Sequence, residues 1–175
     1  MKAGIVLLAE LTGPVADRIR EIQKRFDPRM AAELPPHLTL TGSSGMGPIP
    51  ASMDLARLRA FLEPIARETP PLSLYFQPPM KFMQSVVVVL PIDPYGPVRA
   101  LHERIRSSGI PSEPPRFAFT PHCTLSFYPE LSREKLRDLL SIRIEEPVTI
   151  DRIAAYRAVT ITRAENVLEL PLTGA

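Results

Sequence analysis

The sequence predicts a mixed α/β (α+β) chain built from two related halves, and three observations carry that prediction. A pentapeptide occurs twice, as Pro36-His37-Leu38-Thr39-Leu40 and as Pro121-His122-Cys123-Thr124-Leu125. Each copy closes the same series of strand, helix and motif-bearing strand: 4–11, 14–27 and 36–40, then 86–92, 97–108 and 121–125. Finally, 45% hydrophobic and 23% charged residues over a length of 175 fit one globular domain, residues 1–175, whose two lobes share a cleft.

The elements follow from local pattern. Gly4 to Leu11 is apolar up to Glu10 and too short to cross a bilayer, which makes it a buried strand. Gly13-Pro14 opens a helix with Val15, Ile19, Ile22 and Phe26 on one face, and its arginines, interrupted by Asp17 and Glu21, decorate a solvated one. Thr41 to Pro50 carries three glycines and is the most flexible-looking stretch, a gate over the first motif or a plain connection. Ser52 is the expected cap of a helix with stripe Leu55, Leu58, Leu62 and Ile65, which Pro64 should kink or end. Leu72–Phe76 and Val86–Leu90 read as strands, the second apolar enough to be central, with a loop at 78–82 between them. Pro97 opens a helix with Val98, Leu101 and Ile105 on one face, ending near Gly109, and His102 is expected at its surface. A short helix over Ser132–Ile142 precedes two strands, Val148–Val159 and Val167–Leu172, turning at Arg163-Ala164-Glu165-Asn166.

The motif itself points to chemistry. An isolated histidine on a strand is more often a hydrogen-bonded structural residue. With 10 threonines in 175 residues, however, the chance that two of only three histidines carry Thr at i+2 is about one in a hundred. Strand alternation puts His37 with Thr39, and His122 with Thr124, on one face, roughly 6 to 7 Å apart, and turns Leu38, Leu40, Cys123 and Leu125 inward. Two such pairs facing each other suit a phosphodiester reaction. One imidazole takes a proton from the nucleophile, the other gives one to the leaving oxygen, and the hydroxyls hold the non-bridging oxygens. This chemistry asks for no metal and no cofactor.

Other classes fare worse. Cys123 and His122 are adjacent on a strand and point to opposite faces, so they make a poor nucleophile pair. A zinc site lacks a third ligand, and no Gly-x-Gly-x-x-Gly follows the first strand. One cysteine fits a reducing cytosol, no membrane segment is expected, and a net charge of +2 accommodates a phosphate ligand without demanding nucleic acid.

The repeated His-x-Thr-Leu, in the settings Leu34-Pro35-Pro36-His37 and Phe119-Thr120-Pro121-His122, resembles the two-histidine phosphoesterase superfamily, in particular its bacterial 2',5'-RNA ligase-like branch. The element order resembles that family over nearly the whole chain, including the segment Asp151-Arg152-Ile153-Ala154-Ala155-Tyr156-Arg157. The resemblance implies a bilobal fold with antiparallel sheets lining a central cleft and helices outside. It also implies metal-independent opening of 2',3'-cyclic phosphates at RNA ends or on nucleotides, with reversible 2',5' ligation as a related activity. Carried over by position, His37 and His122 are acid and base, and Thr39 and Thr124 bind the phosphate. Phe82, Phe119, Tyr128 and Tyr156 are the aromatics available to a base, and no obligate protein partner is evident. Two departures stand out: Cys123 sits between His and Thr, and Thr41-Gly42 and Ser126-Phe127 lack the basic residue that some members carry after the motif. A small-molecule cyclic-phosphate phosphodiesterase that ignores RNA, and a non-catalytic RNA- or nucleotide-binding module, are the alternatives.

Overall fold

The computed structural model describes residues 4–82, 85–159 and 163–175. Strands β1 (Ile5–Thr12) and β2 (His37–Thr41) enclose helices α1 (Gly13–Phe26) and α2 (Pro28–Glu33), and α3 (Leu55–Glu68) follows. Then come β3 (Leu72–Leu74), β4 (Met80–Lys81), β5 (Val88–Pro91), α4 (Pro97–Arg106), β6 (His122–Ser126), α5 (Arg133–Ser141), β7 (Val148–Ala158) and β8 (Ala164–Pro171). One antiparallel sheet runs β2-β1-β7-β3 with β8 also on β7, and the other runs β4-β5-β6.

The duplication extends to register. Thr41, Thr39, Leu38 and His37 pair with Leu7, Leu8, Ala9 and Glu10; Ser126, Thr124, Cys123 and His122 pair with Val88, Val89, Leu90 and Pro91. Both ladders slip at the same place, between Leu7 and Leu8 and between Val88 and Val89. A bulge at matching positions re-aims matching side chains, so the motifs are presented alike. In the first copy the Thr41 hydroxyl accepts the Leu7 N–H at 2.9 Å, whereas the Ser126 hydroxyl is buried with no partner among the described residues.

Alternation places the apolar side of both ladders inward. Ile5, Leu7, Ala9, Leu38 and Leu40 from one half share a single buried cluster with Val88, Leu90, Cys123 and Leu125 from the other. The helices are in part exchanged between halves: α1 leaves β1 and packs behind β6 as well as behind β1 and β7, and α4 leaves β5 and packs behind β2. The motif strands β2 and β6 in turn lie against each other.

Several expectations change. Asp54, not Ser52, caps α3 by accepting the Arg57 N–H at 2.9 Å, and Pro64 lies inside a helix that continues to Glu68. Tertiary burial of Leu58, Leu62, Ile65 and Ala66 outweighs the one hydrogen bond that proline removes. Segment 78–82 is partly strand, since Met80 and Lys81 pair with β5. The expected turn at 163–166 falls in β8, which begins at Ala164, and residues 160–162 lie outside those described.

Segment 42–50 is strapped down. Ser43 O accepts from Arg116 N and Phe117 N, Gly45 N donates to Phe117 O, and Gly47 and Pro48 exchange bonds with Glu113. Ile49 and Ile5 pair through both their backbone groups. Gly45 has φ +68°, and a Cβ there would lie 2.5 Å from His102 Nε2, so the strap needs glycine at that point.

His102 is a second correction, being only 1% exposed. Its Nδ1 bonds Leu40 O at 2.8 Å and its ring stacks on Phe119 at 3.8 Å between centroids. A carbonyl only accepts, so Nδ1 carries the hydrogen. Asparagine can place an amide N–H at that point, so His102→Asn is expected to retain most of the stability. His102→Ala orphans the carbonyl and opens a void at a cost of about 2 to 4 kcal/mol, read by thermal denaturation.

Candidate active site

The two motif histidines adopt the same pose. His37 Nδ1 lies 2.7 Å from Pro35 O and His122 Nδ1 lies 2.7 Å from Thr120 O, in each case the carbonyl two residues upstream. Those carbonyls demand a hydrogen on Nδ1, which leaves Nε2 to exchange protons with a ligand. The proline at position −1 of each motif cannot donate into a ladder and marks where the strand starts. Burial lowers the proton affinity of both imidazoles, while the upstream carbonyl works against that in each; the charge of His122 lowers His37 further.

Thr39 and Thr124 share the half-buried face of their histidines, with Leu38, Leu40, Cys123 and Leu125 fully buried on the other. Among the described residues neither threonine hydroxyl is engaged in a hydrogen bond, so both stay available as donors. The Cys123 thiol is buried and its pKa is pushed up to about 12 by that burial, which leaves it unsuited to nucleophilic work.

The aromatics separate into distinct settings. Phe82 tilts against His122, 4.5 Å between centroids, which places it at the motif. Tyr156 lies on the same face of the first sheet as His37 and Thr39, since Val6 pairs with Tyr156, Leu8 with Ala154 and with Thr39, and Glu10 with His37. Its hydroxyl donates to Glu10 Oε1 at 2.6 Å and its ring is buried with Leu8 and Ala154, so it forms floor. Tyr128 is pinned to α2, donating to Glu33 beneath the Arg29 guanidinium, which sits 4.0 Å from its ring centre. Phe119 is core, stacked on His102.

Two supporting residues were not singled out by pattern. Gln23 reaches from α1 to Thr124 O at 2.8 Å, the counterpart of His102 on Leu40 O, so each motif strand is held by a polar side chain from the exchanged helix. Asp27 ends α1, caps α2 through the Met30 N–H at 3.1 Å, and accepts from Phe127 N at 2.7 Å and Tyr128 N at 2.8 Å just beyond the second motif. The visible signal is a polar residue on a buried stripe: Gln23 is four residues after Ile19 and is buried where Ile22 is only partly so.

The sequence model of the 2'-5' RNA ligase superfamily matches residues 12–160. The chain belongs to this superfamily. Membership places it among enzymes of the 2',5'-RNA ligase type. The 2'-5' RNA ligase fold is also seen in solved structures that align with nearly the full length of both chains. The protein TT0787 of Thermus thermophilus superposes with TM-score 0.67 at 19% identity over 97% of this chain and 98% of that one. A phosphoesterase gives 0.58 at 18% over 98% of each, and E. coli LigT complexed with 3'-AMP gives 0.56 at 18% over 99% of each. No curated protein matches the sequence. No helix among the described residues is long and apolar enough to cross a membrane.

Proposed function

We propose that this 2'-5' RNA ligase superfamily member opens 2',3'-cyclic phosphates, at RNA ends or on nucleotides, without a metal, and that reversible 2',5' ligation, with a ribose 5'-hydroxyl in place of water, is accessible to the same site. The observation that carries the reading is the matched pair of Nδ1–carbonyl bonds, which commit both imidazoles to one tautomer and leave each Nε2 for a ligand, with a threonine on the same strand face. One Nε2 removes a proton from water as its oxygen bonds to phosphorus. The bond from phosphorus to one ribose oxygen breaks, and the protonated Nε2 of the other histidine gives that oxygen its proton, leaving a phosphomonoester. Thr39 and Thr124 donate to the non-bridging oxygens as charge builds there. Phe82 is the aromatic best placed for a base, whereas Tyr128 and Tyr156 act through position, holding the 127–128 turn and the floor. That LigT was solved with 3'-AMP and with phosphate supports a nucleotide phosphate as ligand.

Turnover of a nucleoside 2',3'-cyclic phosphate in EDTA is the test, and failure on every cyclic phosphate offered ends the reading in favour of a binding module. The same assay yields a pH profile. Catalysis needs one imidazole neutral and one protonated, and both titrate below the usual 6.5 because burial disfavours the charged form. The profile of kcat/KM is therefore expected to be a bell centred on the acid side of pH 6.5, its two limbs belonging to the pair. A plateau rising through pH 8 would contradict two-imidazole catalysis.

A further inference from the structure

We propose that the hollow between α4 and segment 115–119 is an effector site for a small, free, at least doubly charged phosphate, and that its occupancy lowers turnover at the motifs. The binding half of this proposal is independent of the cyclic-phosphate reading, whereas the effect on turnover rests on it. The hollow measures about 400 Å³, and none of the four motif side chains lines it. The strap supplies one wall: Gly45 lines the hollow, its N–H donates to Phe117 O, and Ser43 O accepts from Arg116 N and Phe117 N.

The charge of the hollow comes mainly from α4. Arg99, Glu103 and Arg106 follow one another at helical spacing and line it together, and Arg116 joins them from the facing segment. Glu103 lies 2.8 Å from Arg106 and 3.8 Å from Arg99, while the Arg116 guanidinium has no ion pair or hydrogen bond among the described residues. One carboxylate thus faces three guanidinium groups. The surplus matches a phosphate dianion, whose oxygens suit the guanidinium fork, and a single carboxylate ligand would leave part of it unmet. His102 closes the base, 1% exposed, with an Nε2 that is buried and has no partner among the described residues.

Two residues that line this hollow also hold the motif strands. His102 Nδ1 donates to Leu40 O at 2.8 Å in the first motif. Arg99 Nη2 donates to Phe119 O at 3.1 Å, one residue before the Thr120 carbonyl that orients His122. Arg99 also donates to Pro94 O, so its fork is held by neutral acceptors on two sides. An ionised phosphate oxygen is a stronger acceptor for a guanidinium than a carbonyl is. An anion in the hollow therefore draws Arg99 away from Phe119 O and loosens the segment that aims His122. The site is cationic, separate from the motif side chains and mechanically joined to both motifs, which is the arrangement an effector requires.

The test uses inorganic pyrophosphate as the probe, on variants whose melting temperatures match their parent. Calorimetry on the His37→Ala/His122→Ala protein, whose motif site is disabled, is expected to show saturable binding of one ion per chain. In that background Arg106→Gln or Arg116→Gln is expected to weaken binding at least about tenfold, the loss of one charge-assisted contact, while Arg67→Gln on α3 does not. With both histidines present, pyrophosphate is expected to lower kcat on a nucleoside 2',3'-cyclic phosphate by about threefold or more, a partial misplacement of one reacting group. Arg106→Gln is expected to keep the uninhibited kcat and lose that inhibition. No saturable binding to the double histidine variant, or binding that neither arginine substitution weakens, overturns the site. Inhibition that disappears at saturating substrate and persists in Arg106→Gln means that pyrophosphate acts only at the motif histidines, and it overturns the effector role, as does arginine-dependent binding with unchanged kcat. A protein that binds pyrophosphate through Arg106 yet turns over no cyclic phosphate keeps the site and removes the catalytic reading together with the effect that rests on it.

Discussion

Alanine at His37 or at His122 is expected to cut turnover of a nucleoside 2',3'-cyclic phosphate by on the order of 10² to 10⁴, the usual contribution of a positioned acid or base. Either loss alone is expected to account for most of the effect, because the reaction needs one proton taken and one delivered; the double substitution adds little to the worse single one. The structural reason is the symmetry of the pair. Each ring is aimed by a carbonyl two residues upstream at 2.7 Å, and neither has a neighbour that duplicates its Nε2. His102 is no substitute, since its Nε2 is buried beneath Gly45 on the other side of β2. The measurement is steady-state kcat on purified variants whose melting temperature matches the parent. A fully active His37→Ala or His122→Ala protein would mean that the motifs serve the fold and not the chemistry.

The parts of the fold legible in the sequence are those governed by periodicity. The alternation in His37–Thr41 and His122–Ser126 sends alternate side chains inward, and the structure keeps that alternation and adds the shared register that a pentapeptide alone does not reveal. Three kinds of information were not local. Pro64 is a helix breaker by propensity, yet α3 runs through it because its apolar stripe is buried against β8 and α4. His102 is polar and is expected at the surface, although its spacing from Val98 and Ile105 puts it on the buried stripe of α4, where the packing of α4 on β2 brings a strand carbonyl to it. Segment 42–50 has the composition of a mobile loop, yet its partners lie far along the chain, at Glu113 and Phe117. Two copies of His-x-Thr make the candidate site visible, whereas the residues that hold it, Gln23 and Asp27, act across the exchange of helices and carry no motif.

Asp27 is where this support is expected to matter most. Its carboxylate is 1% exposed and accepts three backbone N–H groups, from Met30, Phe127 and Tyr128. Asp27→Ala leaves those donors without an acceptor and is expected to cost about 4 kcal/mol, since hydrogen bonds to a charged group are stronger than neutral ones and orphaned donors carry a desolvation penalty. Asp27→Asn separates shape from charge. One amide oxygen can serve either Met30 or the 127–128 pair, but the amide nitrogen then points its hydrogens at the remaining N–H, so the isosteric change is expected to forfeit most of the same stability. The consequence reaches the chemistry because Phe127 and Tyr128 directly continue the strand that carries His122 and Thr124. A shift of about 1 Å at a reacting group is enough to lose on the order of 10² in rate. Both variants are thus expected to melt earlier and, assayed well below their own melting temperatures, to show reduced kcat. An Asp27→Asn protein with parental stability and kcat would show that the 127–128 turn is held by its own packing, with Tyr128 anchored on Glu33 and Arg29, and that the carboxylate serves only to join α1 to α2.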